Sequence, residues 1–321
     1  MSVTRERIQG KTGVAATCVA RDEASYPANL REIPLPPERL WVHGRVETGD
    51  TLAIAIVGAR EATPYGVGCA ERLAADLAAR GITVVSGLAR GIDSAAHRGA
   101  LRAGGRTIAV LGSGVDVIYP PENRRLAFEV AERGAVVSQF PPGTPPLAGY
   151  FPARNRVIAG LSLGVVVVEA AEKSGSLITA GLAGELGREV MAVPGPLTSL
   201  MSRGAHRLIQ DGAALVQGWE DVVGQLPLRF RDLVKPLAVP AIAGRPDRLA
   251  HGQHAEGRVD DKEAGDDESL LLLRVIGQEP VGIDQIIERT GLAPGRASAF
   301  LMTLEIEGRI RQLEGKRFVA A

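Results

Sequence analysis

Runs of apolar residues alternate with amphipathic stretches along the first two thirds of the chain. Six runs are continuous rather than alternating, which is typical of strands covered on both faces. These runs are 52–57, 82–85, 107–111, 135–138, 165–169 and 189–193. Between them, apolar positions recur at helical spacing, as in 65–80, where Cys69, Leu73 and Leu77 share a stripe. The alternation predicts an α/β fold with a mostly parallel sheet.

Five of the predicted strands end in a loop rich in glycine and serine that opens a helix. The loops are 58–60, 86–91, 112–114, 174–176 and 194–196. In a parallel sheet such loops lie along one edge, where ligands bind. Helix N-termini there offer free N–H groups and the positive end of a dipole to phosphates. Five loops along one edge predict a long phosphate-bearing ligand rather than a single small molecule.

The remaining residues divide into three further segments. Residues 1–50 form a Pro-rich lead-in, which we expect to pack in extended form on the main domain at 51–225. Residues 226–265 are rich in proline, glycine, histidine and charge, and they predict a linker. In 266–321, helices at 270–276, 283–290 and 294–307 precede a hairpin of strands 309–313 and 316–319. This combination predicts a small C-terminal winged-helix domain.

Charge and composition narrow the class of ligand. The chain has 321 residues with 37 basic and 37 acidic side chains, so any polyanion site must be a local patch. Cys18 and Cys69 are too few for a disulfide framework or a metal cluster, and they predict free thiols in a reducing cytosol. No apolar run reaches membrane-spanning length and no signal peptide is recognisable. We therefore expect a soluble cytoplasmic protein.

The first loop lacks the glycine fingerprint of dinucleotide-binding domains. Gly58 is followed by Ala59, Arg60 and Glu61 rather than by further spaced glycines, and the second strand ends in Ser86 rather than in an acid. The sequence therefore argues against a nicotinamide cofactor, and we expect no cofactor. Arg60 places a guanidinium at the ligand edge, either as a phosphate contact or as a structural ion pair.

The segment 150–156 combines aromatic and basic side chains at the start of a predicted helix. Phe151 can stack on a base while Arg154, Asn155 and Arg156 hold phosphates, as in single-strand binding sites. The alternative is that Phe151 covers the core and that the arginines pair with acids. Aromatic residues are few in this chain, yet five fall in or beside the loops: Tyr65, Tyr119, Phe140, Tyr150 and Phe151.

Lys173 stands directly before the loop 174–176. It is the only lysine between Lys11 and Lys235 in a chain that otherwise uses arginine. A cation beside an anion-binding type of loop suggests a phosphate contact. A solvated surface lysine is the alternative.

Asp93 and His97 are spaced to share a helix face and could be taken for a catalytic or metal-binding pair. No nucleophile elbow, oxyanion pair or third metal ligand accompanies them. We interpret them as a hydrogen-bonded Asp–His pair that fixes the loop 91–93. Glu169, at a strand end, is expected to orient arginine side chains or loop amides. The sequence thus predicts a protein that is not an enzyme and holds no metal.

Several strings of the chain recur, in the same order, in the DNA processing protein A (DprA/Smf) family. They are 57–60, 86–93 with His97, 151–156 and 174–180, and Tyr119-Pro120, Pro194-Gly195 and Gly212-Ala213 also fit. The chain resembles this family from about residue 26 to residue 223. The resemblance implies an extended Rossmann-like, doubly wound core that binds single-stranded DNA, usually as a homodimer. It also implies protection of incoming DNA during natural transformation and loading of the RecA recombinase.

Matching the motifs residue by residue predicts the DNA-binding site. The residues that would contact DNA are Arg60, Gly87, Arg90, Phe151, Arg154, Asn155, Arg156, Lys173, Ser174, Gly175 and Ser176. The chain departs from the family at His206, where asparagine is frequent, and we expect it to lack the N-terminal helical module of many members. The helix 294–307 carries Arg296 against Glu305 and Glu307, which favours a protein-contact or regulatory role over duplex reading.

The alternative function is a nucleotide-processing enzyme of the lysine-decarboxylase-like phosphoribohydrolase type, which has a similar sheet. Those enzymes carry a glutamate in the loop after the fifth strand. The comparable string here ends Thr179-Ala180-Gly181-Leu182 and has no acid at that place, so the general acid/base is missing. A third hypothesis, a duplex-DNA regulator acting through the winged helix, is opposed by the acidic residues of its third helix.

Overall fold

The computed structural model describes residues 7–9 and 15–236, followed by parts of the C-terminal region. These parts are 275–276, 281–290, 292, 297, 300–301, 304–305, 309–313 and 317–320. The chain divides into two compact units, Met1–Ile242 and Ala243–Ala321. None of the helices within this described portion is long and apolar enough to cross a membrane.

Seven parallel strands form the centre of the first unit. They are β4 (Ala53–Val57), β5 (Thr83–Ser86), β6 (Thr107–Val110), β7 (Ala135–Ser138), β8 (Gly164–Val167), β9 (Glu189–Ala192) and β10 (Ala214–Leu215). Their order in the sheet is β7-β6-β5-β4-β8-β9-β10. Strands β4 to β8 are buried along their whole length, as their continuous apolar runs indicate. The six predicted strands and the parallel sheet are confirmed.

Helices cover both faces of this sheet, which makes the fold doubly wound and Rossmann-like. They are α2 (Pro64–Ala79), α3 (Ile92–Arg102), α4 (Arg124–Arg133), α5 (Tyr150–Leu161), α6 (Gly175–Glu185), α7 (Arg203–Gln210) and α8 (Trp219–Gln225). On one face α2, α3 and α8 pack on alternate strand residues such as Ile54 and Val84. On the other face α5 and α6 pack on Ala55 and Val85. Alternate residues point to opposite faces because the side-chain period of a strand is two.

The N-terminal lead-in belongs to the sheet, whereas the sequence predicted only an extended segment packed on it. Strands β1 (Arg7–Gln9), β2 (Ala15–Ala20) and β3 (Arg39–Gly44) extend the sheet antiparallel, and β3 pairs with β7. The short helix α1 (Ala28–Arg31) lies between β2 and β3. Tyr26, Leu30 and Leu40 are buried in the same core as the parallel strands. The partner of β3 in the sheet, β7, lies about a hundred residues later in the chain, so local sequence patterns do not indicate this pairing.

The first unit also continues into the segment that the sequence predicted as a linker. A one-turn helix, α9 (Leu228–Arg231), follows α8, and Phe230 and Val234 pack against the core beneath α2. The Lys235 N–H donates to the Arg80 carbonyl at 2.9 Å. The rest of the predicted linker lies outside the described residues.

The second unit has a three-stranded antiparallel sheet. Its strands are β11 (Val281–Gly282), β12 (Ile310–Leu313) and β13 (Arg317–Ala320), in the order β11-β13-β12. Helix α10 (Ile283–Thr290) and helical residues at 297, 300–301 and 304–305 pack Ile286 and Leu301 against Phe318. The predicted hairpin and middle helix of a winged-helix domain are confirmed. Most of the predicted helix 270–276, and Arg296, lie outside the described residues.

Candidate functional site

An open cleft of about 710 Å³ lies at the carboxyl ends of the central strands. From β4 the chain builds the sheet first to one side, through β5, β6 and β7, and then to the other side, from β8. The cleft therefore occupies the topological switch point, where doubly wound sheets bind ligands. The predicted site residues that line it are Arg60, Phe151, Arg154, Asn155, Lys173, Ser174, Gly175 and Ser176. Gly87 and Arg90 line an adjoining slot, whereas Arg156 lines neither.

Arg60 is exposed at the end of the loop after β4. A side chain at Gly91, which has a φ of +69°, would meet the carbonyl oxygens of Ala59 and Arg60, so the β5 loop packs directly against this backbone. Within residues 15–236, no acidic side chain lies within ion-pair distance of Arg60. The ion-pair alternative therefore finds no support, and the guanidinium is available at the cleft.

Phe151 is half-buried in the first turn of α5. Its ring centroid lies 5.6 Å from the guanidinium carbon of Arg60 and 5.7 Å from that of Arg154. On the far side, a Cβ at Gly112 would approach the ring at 3.0 Å, so the glycine of the β6 loop makes room for it. The ring lies outside the apolar clusters of the core. It belongs to the surface of the cleft.

Arg154 is only 5% exposed and forms part of the cleft floor. Its Nη1 donates to the carbonyls of Gly87 and Val110, the latter at 2.7 Å. Burial lowers the pKa of this guanidinium to about 10, against the opposing effect of Asp93. The side chain is therefore still charged at neutral pH, and it joins the β5 loop to β6. A Cβ at position 87 would collide with this guanidinium, so only glycine leaves room for the Arg154 side chain.

The loop after β8 places the N-terminus of α6 at the cleft. Ser174 caps the helix: its Oγ accepts from the Ser176 N–H at 3.3 Å and lies 2.7 Å from the Ser176 Oγ. Asn155 Oδ1 accepts from Arg154 Nε at 3.1 Å, and its Nδ2 lies 3.5 Å from the Gly175 carbonyl. Lys173 is exposed, and no salt bridge to it occurs in the described part of the chain.

Two predicted residues bond to other groups of the protein. Arg156 Nη2 donates to the Pro34 carbonyl at 2.6 Å. Residues two apart on a helix point about 200° from each other, so Arg154 and Arg156 cannot face the same cleft. Arg90 forms an ion pair with Glu122, and this hydrogen bond raises the pKa of the Arg90 guanidinium.

Asp93 and His97 do not bond to each other, so the predicted Asp–His pair is wrong. Asp93 Oδ2 accepts from the N–H groups of Gly87 at 3.1 Å and Ala89 at 3.3 Å, and burial raises the pKa of its carboxyl. His97 Nδ1 lies 2.7 Å from Thr107 Oγ1. Burial lowers the pKa of the imidazole to about 3. Of this pair only Asp93 bonds to the β5 loop, since His97 lies one turn further along α3 and contacts Thr107 of β6.

Glu169 orients a loop amide, as expected. Its carboxylate accepts from the Thr63 N–H at 2.9 Å and from the Thr63 hydroxyl at 2.6 Å. Thr63 in turn caps α2. His206 lies with Nε2 3.0 Å from the Gly195 carbonyl and so holds the loop after β9. Among the residues for which the structure gives positions, no three potential metal ligands cluster.

The chain matches two family models. The model described as DNA recombination-mediator protein A covers residues 17–227, and the DprA winged helix domain covers residues 257–316. Protein Smf of Synechocystis is 37% identical over 92% of this chain and 78% of its own length. Protein Smf of Escherichia coli is 39% identical over 92% of this chain and 75% of its own length.

Two solved structures share the fold of the first unit. DNA processing protein A from Streptococcus pneumoniae has a TM-score of 0.63 and 43% identity, covering 66% of this chain and 74% of that chain. DNA processing protein A from Helicobacter pylori has a TM-score of 0.57 and 31% identity, covering 63% and 93%. The latter structure gives insight into that protein's single-stranded DNA binding mode.

Proposed function

We propose that the cleft binds single-stranded DNA without catalysis. The premise is that the chain belongs to the DNA recombination-mediator protein A (DprA/Smf) family. One observation carries the proposal. The exposed cations Arg60 and Lys173, the half-buried ring of Phe151 and the N-terminus of α6 line the same open cleft. A groove with cations and an aromatic platform is the arrangement that holds single strands.

The chemistry of the cleft supports a division of labour among its residues. Arg60, Lys173 and the positive end of the α6 dipole offer contacts to phosphates. Phe151 offers a face to a base, worth about 1–3 kcal/mol on truncation. Neither kind of contact reads a base edge, so we expect little sequence preference.

For Arg154 we propose a role other than the phosphate contact that the sequence predicted. Its guanidinium donates to two backbone carbonyls and supports Phe151 from below. We assign it to positioning the loops and to adding positive charge under the cleft. Arg156 joins α5 to the lead-in through Pro34, and we assign it to stability rather than to DNA contact.

The test compares Arg60→Ala and Lys173→Ala with Arg72→Ala. Arg72 is an equivalent control because its side chain is 88% exposed on the outer side of α2. Fluorescence anisotropy with a labelled oligo-dT is measured over a salt series. Each cleft variant is expected to bind more weakly and to lower the slope of log K against log salt by about 0.7. The Arg72 variant should match wild type.

Two results would contradict the proposal. Unchanged affinity and salt slope for Arg60→Ala would show that DNA does not bind in the cleft. Release of a base from nucleoside monophosphates by the wild-type protein, lost in the cleft variants, would favour the phosphoribohydrolase alternative.

The finer role that we propose is protection of incoming strands and loading of the RecA recombinase during natural transformation, by a homodimer. Family membership supports it. Two linked grooves would bind long oligonucleotides more tightly than short ones, so a length series tests the dimer. Recombinase ATPase activity on strands covered by a single-strand-binding protein tests the loading. An affinity that stops rising within one groove's length, or no stimulation, would oppose these assignments.

A further inference from the structure

Tyr119 lies beside the cleft on the loop after β6. It is one of the aromatic residues that the sequence placed in or beside the loops, but it is not among the predicted DNA contacts. Its side chain is 41% exposed, although it is large and aromatic. Its ring centroid lies 6.0 Å from that of Phe151, and the two ring planes are inclined by 50°. The rings therefore form a wedge instead of a stack. Arg60 and Arg90 lie at the mouth of this wedge.

The position of Tyr119 is held by contacts between two strand-exit loops. Asn123 is buried, and its Nδ2 donates to the Leu88 carbonyl and the Ser94 hydroxyl, both at 2.8 Å. Ser113 Oγ donates to the Val117 carbonyl at 2.6 Å. The bonds of Asn123 hold the β6 loop onto the β5 loop and the start of α3, and the bond of Ser113 stabilises the β6 loop itself. The backbone on both sides of Tyr119 is thus fixed, while the ring projects into solvent.

We propose that Tyr119 and Phe151 receive one nucleobase between them, so that Tyr119 is a second stacking residue of the site. The inference rests on the proposed function and names the part of the ligand that the wedge takes. The slot that both rings help to line has a volume of only about 20 Å³, room for about one water molecule. The ring of Tyr119 therefore turns outward when a base enters, and its exposure leaves it free to do so.

The charges around the wedge fit a nucleotide rather than an apolar ligand. Arg60 stands over the Phe151 ring and reaches the mouth. Arg90 is held there by Glu122, and both side chains are about half exposed. A phosphate attached to the stacked base would meet the guanidinium groups of Arg60 and Arg90. Arg90 would then exchange its ion pair with Glu122 for the phosphate. Exposed ion pairs of this kind contribute little to stability, so the exchange costs little.

The experiment separates a base contact from simple packing of Tyr119 on Phe151. Tyr119→Leu, Tyr119→Phe and the control Phe128→Leu are compared; Phe128 is 38% exposed on α4 and lies outside the cleft. Each is titrated with oligo-dT and with an oligonucleotide of equal length made only of abasic sites. Tyr119→Leu is expected to lose about 5- to 150-fold affinity for oligo-dT. Its affinity for the abasic strand and its salt slope should stay unchanged.

Other outcomes are equally decisive. An equal loss of affinity for both strands would show that Tyr119 has a structural role. No loss of affinity for either strand would show that no base binds between the rings. Either result overturns the inference. Different results would contradict the proposed function itself: wild type does not bind oligo-dT, or Arg60→Ala binds it as tightly as wild type does. Should Tyr119→Leu fail to fold, Tyr119→Trp serves instead. Its added fluorescence should be quenched by oligo-dT but not by the abasic strand, and absence of quenching would overturn the inference.

Discussion

The guanidinium of Arg154 and the imidazole of His97 are both buried in the first unit, with opposite consequences for their charge. Burial lowers both pKa values, to about 10 for Arg154 and to about 3 for His97. At neutral pH the arginine is therefore charged and the histidine neutral. The difference arises from the ordinary pKa values, which lie far above and close to neutrality. A buried arginine can add charge to a site, whereas this histidine contributes only shape and one hydrogen bond to Thr107.

His97 should make the protein less stable in mild acid. Its pKa is 6.5 in the unfolded chain and about 3 in the fold, so below pH 6.5 only the unfolded chain takes up the proton. The free energy of unfolding should fall by up to about 1.4 kcal/mol per pH unit from this group. Urea unfolding of wild type and His97→Gln, between about pH 7 and pH 4, measures it.

The difference in the free energy of unfolding between wild type and His97→Gln, followed over pH, gives the contribution of the histidine. The raised pKa of Asp93 acts in the opposite direction, since the folded chain then holds the proton more tightly as the pH falls, but it is common to both. The loss of stability in acid should be smaller for His97→Gln. Parallel stability curves for the two proteins would show that the imidazole is not what destabilises the fold in acid.

Helix α1 and strands β2 and β3 connect the lead-in to the core that supports the cleft. Leu30 of α1 is fully buried, and its Cδ1 would lie 2.7 Å from a Cβ at Gly160, so α5 packs closely on α1. Asn29 adds hydrogen bonds to the carbonyls of Thr51 and Leu161 at 2.9 and 3.0 Å. The same helix α5 carries Phe151 and Arg154 at its other end. The lead-in therefore stabilises the element that places the site residues.

Leu30→Ala should destabilise the protein by about 2–5 kcal/mol, since it removes buried methyl groups and leaves a cavity. The matched control is Leu35→Ala, five residues later, because Leu35 is 90% exposed. The control should stay within about 0.5 kcal/mol of wild type. Chemical denaturation of both variants gives the comparison. Similar values for the two would mean that α1 is not part of the core.

On the scale of the whole molecule, the described residues that line the cleft belong to the first unit, and that unit extends beyond α8. Phe230 and Val234 contribute to its core, and Arg80 lies over the Trp219 ring at 3.6 Å while its carbonyl accepts from Lys235. The boundary that the composition suggested, at residue 225, would separate Phe230, Val234 and Lys235 from the unit that they pack on. The family model for the core ends near the same place, at residue 227.

Two truncations should therefore behave differently. A chain of residues 1–236 keeps all described cleft residues and the contacts of Phe230, so we expect it to bind oligo-dT within about twofold of the full chain. A chain of residues 1–225 exposes apolar surface beneath α2 and should unfold at a temperature lower by several degrees, about 2–4 °C per kcal/mol lost. Thermal unfolding and anisotropy measure both. Equal melting temperatures would place the boundary at 225.

The sequence by itself determined the parallel strands, the loops at their carboxyl ends and the exposed site residues. Continuous apolar runs are a local property, and parallel topology brings every strand exit to one edge. Arg60, Phe151 and Lys173 follow from this, since each stands in or beside such a loop. The family strings added the order of the motifs.

Only the tertiary structure decided which side chains face the cleft and which are used within the protein. Arg154 bonds to carbonyls 67 and 44 residues away, and Arg156 to one 122 residues away. Tyr119 meets Phe151, and β3 meets β7, although neither pair is close in the chain. Such partners are set by packing between distant segments, which neither hydrophobic periodicity nor turn chemistry encodes.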